Sequence, residues 1–139
     1  MDLRSATNDD VPAISDLFVR SSATNDGDRA LIALHPEWMV WSAANLAWVR
    51  VACIDGAIVG FATAVPSGEF LELEDLFVDP DHMRRGIASA LIEDIAAGGV
   101  RIEVTANPHA MAFYESAGFV VTGEAQTEGG PAPRMCRTM

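Results

Sequence analysis

The residues with the clearest potential for chemistry fall in residues 71–92, which read LELEDLFVDPDHMRRGIASALI. A predicted strand leads here into a short loop that holds Arg84, Arg85 and Gly86, and the loop leads directly into a predicted helix. The first amides of a helix have no partner within the helix, and the positive end of its dipole lies behind them. Gly86 lets a ligand approach the backbone, and Ala88 keeps the first turn narrow. The segment predicts an anion site, with a solvated basic turn as the alternative.

Seven segments have the composition of strands. The firmest local prediction is a hairpin, because Asp55 and Gly56 supply the positive φ angles that a two-residue turn requires. Residues 127–133, TEGGPAP, are predicted to be the loop between the last two strands. The predicted strands are residues 3–6, 48–54, 57–65, 70–78, 100–105, 119–125 and 134–139.

Helices are predicted where apolar residues recur at helical spacing. Ile87, Leu91 and Ile95 lie on one face of a predicted helix over residues 86–97. The other predicted helices are residues 11–20, a region broken at His35 and Pro36, and a segment that Asn107 caps, Pro108 opens and Gly118 ends. The order of elements predicts an α/β fold with a mixed sheet, whose crossover through the helix at Gly86 is parallel and right-handed.

Length and composition exclude several classes of function. The chain has 139 residues, which predicts a single domain over residues 1–139. Its 20 acidic and 9 basic residues give a formal charge of -11, which repels nucleic-acid phosphates and argues against a nucleic-acid partner. All nine basic residues are Arg, so Schiff-base lysine chemistry and a lysine-containing phosphate loop are excluded.

The sequence also lacks the usual signs of export, membrane insertion or metal binding. Residues 1–10 have no apolar core of a signal peptide, and no run of about eighteen apolar residues exists. The chain is therefore predicted to be cytoplasmic, with no membrane partner. The two cysteines and three histidines are dispersed, so no metal site is predicted.

Two linked motifs resemble the GNAT acetyltransferase superfamily. Its acetyl-CoA pyrophosphate motif, written Q/R-x-x-G-x-G/A, falls on residues 83–88, and residues 107–119, NPHAMAFYESAGF, resemble its downstream segment N...A..FYE..GF. The likeness is good over residues 48–123. Met83 departs from the usual Gln or Arg, so only its amide can serve in the loop.

This resemblance implies a GNAT-like acyl-CoA N-acyltransferase fold: a central mixed sheet of about seven strands, flanked by about four helices, with a V-shaped splay between strands 4 and 5. Acetyl-CoA is the implied cosubstrate, and its pantetheine arm would enter the splay like an added strand. The residues implied to bind it are Leu76, Phe77 and Val78 through their backbone, the loop and helix residues Met83, Arg84, Arg85, Gly86, Ile87, Ala88 and Ser89 through their amides, and Asn107, Phe113 and Tyr114.

The implied reaction is direct attack of a primary amine on acetyl-CoA in a ternary complex, with the Leu76 amide helping to hold the oxyanion. Tyr114, the only tyrosine, occupies the family's general-acid position and would protonate the CoA thiolate. Its alternative role is aromatic packing beside Phe113.

An ammonium must lose a proton before it can attack, so a base is expected near the splay. Glu74 is favoured and Glu72 comes second, because Glu74 and Asp75 resemble the Glu-Asp pair of GNAT aminosugar acetyltransferases. Strict alternation places Glu72 and Glu74 on one face of the strand and Asp75 on the other, and a β-bulge would change that. Alternatively, these carboxylates are solvated or attract a cationic substrate.

The acceptor is left open between a small-molecule amine and a protein N-terminus or lysine. Trp38 and Trp41 are predicted to serve core packing or a dimer contact rather than an aromatic wall for the acceptor, so a homodimer is a possibility. Two rival functions are a non-catalytic module with the same fold that binds or senses acyl-CoA, and a structural or interaction protein that keeps the fold but has a closed gap.

Overall fold

A computed structural model describes residues 1–22 and 41–138, and the strands in these ranges form one seven-stranded mixed sheet in the order β1-β2-β3-β4-β5-β7-β6. The strands are β1 (Asp2–Ser5), β2 (Val49–Ile54), β3 (Ala57–Ser67), β4 (Phe70–Val78), β5 (Arg101–Thr105), β6 (Val120–Thr127) and β7 (Gly130–Arg137). The α-helices are α1 (Val11–Ser22), α2 (Ile87–Ala96) and α3 (Met111–Ser116). Short 3-10 segments span Asn8–Asp10, Ala43–Trp48, Pro80–His82 and Pro108–Ala110. The predicted helix break at His35 and Pro36, and Trp38 with it, lie outside the described residues.

The β2–β3 hairpin confirms the local turn prediction. Asp55 has a φ of 52° and Gly56 a φ of 82°, the two positive angles of a primed turn. The helix prediction after Gly86 is confirmed too, because α2 starts at Ile87. The predicted helix from Pro108 to Gly118 is instead divided into a 3-10 turn and α3.

The last strand starts earlier than predicted. Residues 127–133 were expected to be a loop, but β7 begins at Gly130 and pairs with β6 from that residue onward. Pro131 and Pro133 fit because their nitrogens face away from β6: the Pro133 carbonyl accepts a bond from the Ala106 amide on the opposite side, at 2.9 Å. Since β5 ends at Thr105, the pairing of β5 with β7 does not need an N–H from Pro133.

Two apolar clusters lie on opposite faces of the sheet. On one face α2 packs through Ile87, Leu91 and Ile95 against β2, β3 and β4. Gly60 of β3 permits this contact, because a Cβ there would lie 2.8 Å from the Ile87 Cγ2 atom. On the other face α1 packs with Phe61 and Phe77, and the buried Trp41 joins this cluster, as the core interpretation predicts.

The central strands β4 and β5 separate soon after they pair. Their parallel register consists of three pairs, Phe70 with Arg101, Leu71 with Ile102, and Glu72 with Glu103. Within the described chain, β4 continues for six further residues without a partner on that side. We call this gap the slot, and it confirms the predicted splay between strands 4 and 5.

Candidate active site

Along the slot the backbone of β4 has no strand partner, although the Val78 carbonyl accepts a bond from the Ser21 hydroxyl at 2.7 Å. Val78 stands opposite Gly60 in the antiparallel register with β3, and the Asp79 amide bonds to the Val59 carbonyl at 2.8 Å. Along an antiparallel strand, the backbone N–H and C=O groups point alternately towards and away from the partner strand. Since Asp79 bonds to β3, the N–H and C=O of Val78 point away from β3, and those of Leu76, two residues earlier, do the same. The amides of Leu76 and Val78 therefore face the slot. Phe77 was predicted to use its backbone as well, but the same alternation directs its backbone groups to β3.

A cavity of about 740 Å³ continues from the slot to the start of α2. Most of the predicted cofactor residues line it: Leu76, Phe77, Val78, Met83, Arg84, Gly86, Ile87, Ala88, Ser89, Phe113 and Tyr114. Arg85 and Asn107 are not among the lining residues; the Asn107 side chain accepts a bond from the His109 amide instead, at 2.9 Å. The residues that sequence reasoning missed are Ser21, Pro80, His82, His109 and Ala110.

The loop at the helix start, residues 83–86, has the geometry of an anion-binding turn. Arg84 has a φ of 65° and Gly86 a φ of 76°, so the backbone is left-handed at both positions. Gly86 is the N-cap of α2, and its carbonyl accepts the first helical bond from the Ala90 amide at 2.9 Å. Left-handed residues in such a turn make successive amides converge, which suits a phosphate. We call this segment the anion loop.

Tyr114 lies in α3 at the cavity wall. Its side chain is 7% exposed, and its ring makes edge contacts with Phe113 and Phe119 at centroid distances of 5.3 Å each. Within the described residues, its hydroxyl makes no hydrogen bond. Burial raises the pKa of Tyr114 to about 12. The hydroxyl is therefore protonated at neutral pH, and it is unpaired at the edge of a cavity.

A β-bulge in β4 changes the predicted faces of its carboxylates. Thr63 pairs with Asp75 and Ala64 with Leu73, so Glu74 is the extra residue. Leu73 and Leu76 consequently pack in the same apolar cluster, which strict alternation would forbid. Strict alternation, which places Asp75 on the face opposite Glu72, therefore does not hold. The alternative of a β-bulge is confirmed, and it brings the two residues to the same face.

Glu74 and Glu72 differ in their surroundings. Glu74 is exposed and, among the described residues, forms no ion pair or hydrogen bond. Partial burial, Glu72 and Asp75 raise the pKa of Glu74, and Arg134 opposes them. The Glu72 carboxylate is held at both oxygens by the Arg134 guanidinium. Of the two carboxylates, Glu74 is thus the one free to take up a proton.

The third carboxylate of β4 is tied to a tryptophan. The Trp41 indole N–H donates to the Asp75 carboxylate at 3.2 Å, and the indole ring lies edge-on to Phe61 at 5.8 Å. Asp75 is thereby anchored on the α1 side of the sheet, next to the bulge.

Comparison with known proteins agrees with this architecture. The family model for the acetyltransferase (GNAT) domain matches residues 44–121, which is more than half of the chain. The matched region contains β4, the slot, the anion loop and α3. The chain belongs to the GNAT acetyltransferase family, so the predicted family is confirmed.

One curated relative and many solved structures resemble the chain. YafP of Escherichia coli (strain K12), described as an uncharacterized N-acetyltransferase, is 32% identical over 91 residues, which cover 66% of this chain and 57% of YafP. The chain thus spans little more than half the length of that relative.

Among solved structures, the ribosomal-protein-S18-alanine N-acetyltransferase of E. coli superposes with a TM-score of 0.70 at 23% identity, over 99% of this chain and 94% of the other. The PaiA N-acetyltransferase of Thermoplasma acidophilum, solved in complex with coenzyme A, gives 0.71 at 16% identity, over 99% and 98%. These likenesses confirm the predicted fold. In the described ranges no helix is long and apolar enough to cross a membrane.

Proposed function

We propose that the protein transfers the acetyl group of acetyl-CoA to a primary amine by direct attack within a ternary complex. One observation carries the proposal: a single cavity connects the anion loop, the open edge of β4 and the protonated Tyr114 hydroxyl. A diphosphate, an extended amide-containing arm and a leaving thiolate need these three features in this order.

The chain would hold the cosubstrate mainly through its backbone. The amides of residues 83–89 would bind the diphosphate, supported by the helix dipole and the charge of Arg84. The outward-facing groups of Leu76 and Val78 would bond the pantetheine arm as an added strand does. Asn107 and Arg85 would contribute from outside the cavity lining. Acetyl-CoA supplies the acetyl group as a thioester.

Two side chains would move the protons. Glu74, as a carboxylate, would accept a proton from the bound ammonium, and its raised pKa makes it a better base than an ordinary glutamate. The Leu76 amide would donate to the developing oxyanion. Tyr114 would donate its proton to the sulfur of the leaving thiolate. Glu72, which Arg134 holds at both oxygens, would not act as the base. Its charge would instead influence the pKa of Glu74.

The acceptor we propose is a cationic amine. Glu74 and Asp75 place negative charge on β4 beside the slot, where no cation among the described residues pairs with them, and ammonium groups favour such a surface. One solved structure of similar fold is named for a protein acceptor, the alanine of ribosomal protein S18. For this chain we leave the choice between a small amine and a protein N-terminus or lysine to the amine panel. The homodimer and the single domain over residues 1–139 stay predictions.

A thiol-release assay with acetyl-CoA and a panel of amines tests this function. Wild-type protein should release CoA with at least one amine, Glu74→Gln should lose most of that rate at neutral pH, and acidic acceptors should be poor. Glu124→Gln, an exposed glutamate on β6, is the matched control and should be unaffected. Calorimetric binding of CoA without release on any amine would favour the non-catalytic acyl-CoA module, and absence of CoA binding would overturn both functions.

A further inference from the structure

Arg134 joins three strands at the point where the slot opens. From β7 its Nη1 atom donates to the Glu72 carboxylate of β4 at 2.6 Å and to the Thr105 hydroxyl of β5 at 3.1 Å. Its Nη2 atom donates to the second Glu72 oxygen and to Glu103 of β5, the latter at 3.2 Å. The guanidinium fork therefore spans both strands that separate.

The carboxylates that it bridges would otherwise repel each other. Glu72 and Glu103 are the last register pair of β4 and β5, so their side chains stand side by side on adjacent strands. Like charges in that relation are destabilising. The Arg134 side chain is 23% exposed, and those of Glu72 and Glu103 are 21% and 18% exposed, so water screens the pair incompletely. Arg101 supplies a second cation to Glu103 at 2.8 Å.

We propose that Arg134 is a positioning residue for proton transfer: it fixes and neutralises Glu72 at the apex of the slot, so that Glu74 alone serves as the proton acceptor. This inference rests on the proposed function, because it assigns a role relative to the base of that reaction. A planar, always charged guanidinium is suited to hold a carboxylate at both oxygens, whereas an ammonium makes a single-point contact.

The charged groups around Glu74 determine in which direction its pKa should shift when each of them is removed. From its own strand Glu72 and Asp75 raise the pKa of Glu74, and from β7 Arg134 lowers it. Removing Arg134 leaves Glu72 unbalanced and should raise the pKa of Glu74 further. Removing Glu72 should lower it.

The test compares kcat/KM against pH for the wild type and five variants with one amine. Arg134→Gln should move the acidic limb to higher pH by about half a unit to one unit, the usual size of such environmental shifts. Glu72→Gln should move it to lower pH, and the double variant should return it towards the wild-type position. Arg101→Gln, which removes the cation paired with Glu103 alone, should leave the limb in place. The free amine titrates identically throughout, so shifts between variants belong to the enzyme.

A fall in rate at every pH without movement of the limb would mean that Arg134 only supports the fold, and it would overturn this inference while leaving the proposed function intact. Arg134→Lys should keep the limb near its wild-type pH but lower the rate. If Arg134→Gln does not fold, comparison of the double variant with Glu72→Gln still shows in which direction the loss of Arg134 moves the acidic limb. If no amine is turned over, the proposed function fails separately, and NMR titration of the Glu74 carboxyl, assigned with Glu74→Gln, measures the same shifts directly.

Discussion

Replacing Tyr114 by Phe separates chemistry from packing, because the structure predicts a large effect on rate and almost none on stability. The ring is held by Phe113 and Phe119, and Phe at position 114 keeps both edge contacts. The hydroxyl has no hydrogen bond within the described chain, so its removal leaves no partner unsatisfied. We expect the free energy of unfolding to change by less than about 1 kcal/mol.

The expected loss of rate follows from the role of the hydroxyl. Donation of a proton to a leaving group is worth about 10² to 10⁴ in rate, or about 2.7 to 5.4 kcal/mol in the barrier at 1.36 kcal/mol per tenfold change. Thiol release with saturating acetyl-CoA measures kcat, and urea unfolding measures stability. Tyr114→Ala is the packing control, and it should cost about 3 to 5 kcal/mol of stability.

The pH dependence of the activity is a second test of the general-acid role of Tyr114. With a pKa of about 12, Tyr114 stays protonated through neutral and moderately alkaline pH, so it should contribute no loss of activity below about pH 11. A Tyr114→Phe variant that folds normally, binds CoA and retains more than about a third of the wild-type kcat would refute the general-acid role.

Three further perturbations follow from the structure. Gly60→Ala forces a Cβ against the Ile87 side chain and should cost about 1 to 3 kcal/mol in thermal unfolding, with weaker CoA binding as the start of α2 shifts; an unchanged melting temperature would contradict the close packing. Arg84→Ala should weaken CoA about tenfold by calorimetry at low salt and less at high salt, whereas Arg85→Ala, outside the cavity lining, should have a smaller effect; equal, salt-independent losses would contradict the phosphate role. Asp10→Asn should cost about 1 to 2 kcal/mol at pH 7 in urea unfolding. The Arg4 guanidinium lowers the pKa of Asp10 to about 2 from an ordinary 3.8, so this stabilisation is present above about pH 4 and is lost as the pH falls towards 2; a cost that persisted at pH 2 would contradict the ion pair.

Features that local chemistry determines could be predicted from the sequence. The Asp55-Gly56 turn requires backbone angles that few residue pairs adopt, and the helix after Gly86 has an apolar stripe that needs one face buried. The anion loop was predictable for the same reason, because its glycine and arginines are contiguous in the chain. Its left-handed Arg84 was not, since nothing in that residue type favours a positive φ.

Features that depend on pairing between distant strands could not be predicted. The bulge at Glu74 arises from the register of β4 with β3, and it places Glu72 and Asp75 on the same face against the alternation rule. The bond between Arg134 and Glu72 joins residues 62 positions apart. Ser21 reaches the cavity wall through its bond to the Val78 carbonyl at 2.7 Å, and only the packing of α1 on the sheet brings it there.

The most direct measurement is a crystal structure of the protein with coenzyme A. The diphosphate oxygens should lie within hydrogen-bond distance of the amides at the beginning of α2, and the pantetheine amides should pair with Leu76 and Val78, with the sulfur near the Tyr114 hydroxyl. A coenzyme bound elsewhere on the surface, or strands β4 and β5 joined along their full length, would contradict the account.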